Sequence, residues 1–188
     1  MARLVTADDL CVGVQTVLTD HLEHLVEQLG WHEGDKPLLP VTTWTQLPTR
    51  EALTTATFPA GAIDSPGLAS TPSRRGRGGV DATWRIGVGV YDRGADHGDT
   101  AGRVRRWAAA VRACVLQHPT LDGTASSATW VGEEYAEIPL RQAARTIGGC
   151  AVAFDVTATN VVDVDDLPTR LVESTHLTVS GRLPAGSQ

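Results

Sequence analysis

The chain has 188 residues, 22 acidic against 16 basic side chains, and a formal net charge of −6. That length suits one domain with a sizeable core, so no disulfide or metal is needed to hold it together. No apolar run approaches the roughly 20 residues that cross a bilayer, and no basic-then-apolar leader is present, so the sequence predicts a protein made in a cytoplasm and staying soluble.

Leu10, Val14, Val17, Leu18, Leu22, Leu25 and Leu29 recur at helical spacing and predict a helix over 7–29. Thr6 with Asp9 has the pattern of a capping box, Asp8 and Asp9 suit the positive end of the helix dipole, and Gly30 reads as the C-terminal stop. His21 and His24 lie toward the polar side of this helix. Two histidines three apart can hold a metal, but no third ligand is evident, and solvated surface is the favoured reading.

Leu38 to Leu47 reads as a strand, confined to an edge or a strand start by Pro37, Pro40 and Pro48. Residues 59–80, with Pro59, Gly61, Pro66, Gly67 and Pro72, read as a long flexible loop that ends in Ser73-Arg74-Arg75-Gly76-Arg77-Gly78-Gly79. The alternation Trp84, Ile86, Val88, Val90 predicts a strand with those residues on one face and Arg85, Gly87, Gly89 and Tyr91 on the other. The two glycines would let another element approach closely. After a turn at 91–98, Asp99 or Thr100 is expected to cap a helix over 99–118. Its inner face would be Val104, Trp107, Ala108, Val111, Cys114 and Val115, with Arg103, Arg105, Arg106 and Arg112 outside. His118-Pro119 ends it. Residues 126–138 and 146–158 read as two further strands, and Leu177 and Val179 as a short late one. Together these predict an α+β chain with about four strands, two main helices and long loops.

The chemistry-bearing residues are sparse. Cys11, Cys114 and Cys150 are odd in number and lie in apolar patterns, which favours buried small hydrophobes over a metal or disulfide role. Asp92, Asp96, His97 and Asp99 are the densest group of metal-ligating types, but Asp and Gly are also what a strand-to-helix turn needs, and the turn reading is favoured. Glu133 and Glu134 would point to opposite faces of a strand and cannot converge as an acid pair, and with Glu137 read as surface charge. Gly87-x-Gly89 lacks the third glycine of a dinucleotide fingerprint, and no GxSxG is present. No catalytic residue, cofactor site or metal site is therefore predicted. Arg74, Arg75 and Arg77 remain as a candidate loop for contact with a partner or with a phosphate backbone.

Charge is segregated. Residues 1–60 carry eight acids and three bases, residues 74–112 nine Arg and four Asp, and residues 113–188 nine acids and four bases. A positive middle between two negative ends can serve head-to-tail self-association, or simply solvate separate faces.

The element order, helix 7–29, the strand Trp84–Tyr91 running through Asp92-Arg93 into helix 99–118, and the closing strand Gly149–Thr157, resembles the tail terminator (tail completion) proteins of long-tailed bacteriophages. The resemblance covers about residues 5–160, a single domain, and leaves 161–188 as a C-terminal extension. It implies a mixed, mainly antiparallel sheet flanked by helices. It further implies a hexameric ring in the virion that caps the tail tube and ends its elongation, meeting the tail-tube protein on one face and the head-tail connector protein on the other. DNA would pass only as cargo through the channel. Two other readings stand beside it: a head-closure or tail-to-head joining connector, and a small metal-dependent hydrolase built on Asp92, Asp96, His97 and Asp99. A cellular binding module is a weaker third.

Overall fold

A computed structural model describes residues 4–34, 36–46, 57–74, 79–138 and 147–163. The first helix, Ala7–Gln28 (α1), starts as the sequence predicts. The Thr6 hydroxyl accepts the Asp9 N–H at 3.3 Å and the Asp9 carboxylate accepts the Thr6 N–H at 2.8 Å. It ends at Leu29, after which Gly30 turns left-handed (φ 66°), donating its N–H to Glu27 while Trp31 donates to Val26. Leu10, Val14, Val17, Leu18, Leu22 and Leu25 are buried as expected. Leu29 is exposed, because it belongs to the cap and no longer to the stripe.

Among the described residues six strands make one sheet: Trp44–Thr45 (β1), Ala60–Leu68 (β2), Ser73–Arg74 (β3), Gly79–Asp92 (β4), Ser127–Ile138 (β5) and Ile147–Asp163 (β6). Their order is β1-β2-β4-β6-β5, with β3 beside the start of β4. Every pairing is antiparallel except the two-residue β1–β2 bridge, which is parallel. The fold is thus α+β with a mixed, mainly antiparallel sheet and two main helices.

Two strand readings change. The expected strand at 38–47 shrinks to Trp44–Thr45, since residues 38–43 form no ladder; Leu47 lies outside the described residues. The expected loop at 59–80 instead contains β2, whose Ala60, Gly61, Ala62 and Ile63 are all buried against β4. Small side chains hide this strand from a hydrophobicity pattern, and only Ile63 adds bulk to the core. Pro66 and Gly67 fall where the register slips between Asp64 and Gly67, the kind of bulge that tolerates a missing N–H and a φ of 134°. The proposed strand at Leu177 and Val179 also lies outside the described residues.

The second helix, His97–Gln117 (α2), begins earlier than expected. Asp96 is its N-cap and accepts the Asp99 N–H at 2.7 Å, displacing Asp99 and Thr100 from that role. Both helices cover the same face of the sheet. One core joins Val14, Leu18 and Leu22 of α1, Trp107, Val111 and Val115 of α2, and Ile63, Ile86, Val88, Val152, Phe154 and Val156 of the strands. α2 lies so close to β6 that a Cβ on Gly148 would meet Thr100 at 2.8 Å and Val104 at 2.9 Å.

The opposite face of the sheet carries Thr83, Arg85, Gly87 and Gly89 paired with Thr157, Asp155, Ala153 and Ala151. Among the described residues no second element comes down on the two glycines. Their space is taken by neighbouring side chains, Asp64 over Gly87 and the Tyr91 ring over Gly89. Arg85 and Asp155 face each other in register, with a hydrogen bond of 2.6 Å.

Phe154 is wholly buried at the centre of this core. Phe154→Ala is expected to lower unfolding stability by about 3–5 kcal/mol, measured as a shift of the urea midpoint at unchanged slope.

Candidate functional site

The corner where β4 turns into α2 collects the four residues that the sequence marked for metal. Asp92 shares the core-facing side of β4 with Val90, so its carboxylate is carried under α2. There it accepts the Trp107 indole N–H at 3.0 Å and the Arg93 backbone N–H at 2.7 Å. Asp96 caps the helix. Asp99, also buried, accepts the Ala95 N–H at 2.8 Å, and the Thr100 hydroxyl accepts the Gly94 N–H and donates to the Asp96 carbonyl. His97 begins the helix and is exposed.

Arg103 completes the corner and departs from its expected outward place. Its side chain is only 12% exposed and lies 3.6 Å from Asp92 and 3.7 Å from Asp99, while donating to the Pro37 carbonyl at 2.6 Å. Lys36 stands 3.8 Å from the other Asp99 oxygen, and Arg106 donates to the Lys36 carbonyl. The Ala95 N–H above all, helped by the charges of Lys36, Arg103 and Arg106, holds the Asp99 carboxyl below the ordinary value of 3.8, against the opposing effect of burial. The carboxylates therefore serve to fasten the turn and segment 36–38 to α2.

Among the described residues, the three metal-ligating side chains that do converge are others: His21, His118 and Asp122, whose ligand atoms lie within 4.8 Å of one another. His21 comes from α1, His118 is the C-cap of α2, and Asp122 sits in a short 3₁₀ turn over Leu121–Gly123. The sequence offers no spacing signal for this group, because its members lie on three elements far apart in the chain.

Of the candidate contact loop, Arg74 is an exposed residue of β3, while Arg75 and Arg77 lie outside the described residues. Glu133 and Glu134 fall opposite Val152 and Ala151, so they point to opposite faces as read. Glu133 accepts from Arg112 at 3.0 Å and from the Tyr135 hydroxyl at 2.8 Å. The Arg112 guanidinium also lies 4.9 Å from the Trp130 ring centre.

These residues belong to β5, an edge of the sheet: it pairs with β6 on one side and with no strand on the other among the described residues. Trp130, Val131 and Tyr135, all on β5, are 42%, 45% and 48% exposed. Unpaired backbone groups beside exposed aromatic rings make a surface suited to another protein. The sequence shows the strand but cannot show that it ends the sheet.

A concavity of about 360 Å³ lies between α1 and segment 38–44 and is lined by Leu18, Leu22, Val26, Leu38, Val41 and Trp44. The three cysteines are free and buried; burial raises their thiols to about 11 for Cys11 and about 12 for Cys114 and Cys150, which leaves them weak nucleophiles. No protein-family model matches the chain, and no curated protein matches it.

Two measurements check the corner. Arg103→Leu strands two buried carboxylates, and urea unfolding should show a loss of about 3–5 kcal/mol. Because the Asp99 pKa is lowered by folding, its stabilising contribution is complete above 3.8 and is lost as pH falls below that through the folded value. In Asp99→Asn, stability measured from pH 7 down to pH 3 should fall less steeply at the acid end than in the parent.

Proposed function

We propose that this chain is a structural virion protein: the subunit of a ring that caps the tail tube of a long-tailed bacteriophage, ends tube elongation and supplies the surface for joining the head. The single observation that carries the reading is the order of elements, two helices on one face of a mainly antiparallel sheet, with the long strands β5 and β6 following α2. That order supports the resemblance drawn from the sequence.

Two further features agree with an assembly part. The polar cluster most like a reaction centre is engaged internally by Arg103, Trp107 and backbone N–H groups, so the hydrolase reading gains no support from it. Among the described residues the outer side of β5 has no partner strand, so its backbone groups, flanked by Trp130, Val131 and Tyr135, are available to a neighbouring subunit. Segregated charge would help unlike lateral surfaces meet around the ring. In this reading the subunit is a homo-oligomer, the hexamer of the resembling family, with the tail-tube and head-tail connector proteins as its neighbours.

Electron microscopy of particles assembled with and without the chain tests the role. The expected result is overlong or headless tubes in its absence and six-fold density at the head-proximal tube end in its presence. Normal-length, head-joined tails without it would refute the proposal, and density on the head side of the joint would favour a connector. In the same assay, Trp130→Asp combined with Tyr135→Asp should reduce ring formation at least about tenfold, as central aromatic anchors of interfaces do, while the far-ultraviolet circular dichroism of the subunit stays unchanged.

A further inference from the structure

We propose that His21, His118 and Asp122 form a binding site for a divalent transition-metal ion, with zinc the best chemical match. Two imidazoles and one carboxylate are the nitrogen and oxygen donors that zinc takes up. The site does not depend on the tail role, and no residue of the β4–α2 corner takes part in it.

The geometry points to an ion more than to a closed side-chain network. The ring nitrogens nearest Asp122, Nε2 of His21 and Nδ1 of His118, lie 3.9 Å and 3.6 Å from two different oxygens of the carboxylate. Both spacings exceed a hydrogen bond. The carboxylate is thus drawn up to two imidazoles without being bonded to either. A tetrahedral zinc with bonds of about 2.0–2.1 Å needs its ligand atoms about 3.3–3.4 Å apart. The separations here, all within 4.8 Å, close to that by rotation of side-chain torsions.

The rings are stacked, with centroids 3.9 Å apart and planes 12° from parallel. Binding requires them to tilt so that their in-plane lone pairs converge beside Asp122. Each ligand is anchored separately. His21 projects from the middle of a well-capped helix, and His118 is fixed by its own N–H to the Val115 carbonyl at 3.1 Å. Asp122 is held in the left-handed region (φ 52°, ψ 35°), directly after Leu121 at φ 47°, and Leu121 is buried beneath it. Two successive non-glycine residues in that region are uncommon, and here they bring the carboxylate back toward the helix ends. The side chains are 40%, 26% and 54% exposed, so an ion can enter and its remaining position opens to water. A bound ion would clamp α1 to the connection between α2 and β5.

The test uses the full chain, stripped with a chelator and titrated with Zn²⁺ by calorimetry, alongside thermal melting with and without Zn²⁺. The expected result is one equivalent bound and a melting temperature that rises with zinc concentration, as binding to the folded state alone requires. His21→Ala and Asp122→Asn should each weaken binding at least about tenfold, since even residues behind a ligand cost that much. His24→Ala should not; His24 lies one helical turn away beside Glu27 and Gln28 and reports on ordinary surface histidine. Circular dichroism confirms that each variant is folded, and His118→Gln serves as a third variant. Absence of binding, binding unaffected by His21→Ala and Asp122→Asn, or equal weakening by His24→Ala would each overturn the proposal.

Discussion

The antiparallel pairing of β4 with β6 is the constraint on which the rest of this molecule depends. The two strands stay in register from Ala82–Ala158 to Asp92–Gly148. That register places Ile86 opposite Phe154, Val88 opposite Val152 and Val90 opposite Cys150 on one face, and all six are buried. A slip of one residue would send this set to the other side, where glycine, alanine, Arg85 and Asp155 now lie. The two sheet faces are thus chemically unlike, and only one can receive α1 and α2.

The same register delivers Asp92 to the end of the apolar row, where a carboxylate would be costly without partners. Trp107 and Arg103 answer it from consecutive turns of α2, and Asp99 balances the arginine in turn. One guanidinium between two carboxylates, with Lys36 at the rim, balances the charge of the cluster, although Asp99 Oδ1 and Arg103 Nε are buried without a hydrogen bond among the described residues; single substitutions would leave the charge unbalanced. The corner acts as a latch: it fixes the direction of α2 and, through the Pro37 and Lys36 carbonyls, ties down the segment that follows α1.

The sequence made the strongly periodic parts readable and left the weakly patterned parts obscure. α1, α2, β4 and β6 carry bulky residues at periods that match their structure, and the Thr6–Asp9 box marks its helix start correctly. β2 escaped because its buried half is Ala-Gly-Ala-Ile and its exposed half contains Pro66 and Gly67, so composition argued for a loop. Arg103 was assigned to the surface because a helical projection shows only which side it occupies, not that two carboxylates wait there. Residue type does not separate Asp96 from Asp99 as the cap, since both are aspartate, and the extended backbone at residue 96 decides the matter. The convergence of His21, His118 and Asp122 comes from tertiary packing alone, and so does the position of Trp130 and Tyr135 at the margin of the sheet.

The place of β6 between β4 and β5 has a kinetic meaning. It is the last of these strands to leave the ribosome, yet both neighbours depend on it for their hydrogen bonds. Among the described strands, until it is made β4 can zip only to β2 and β3, and β5 has no strand to join. The Leu4–Val162 bridge joins opposite ends of the domain, and Val80 pairs with the same Val162 from mid-chain, so closing the sheet is a non-local, comparatively slow step. The β4–β6 and β5–β6 ladders therefore form only after residues 147–163 have been made.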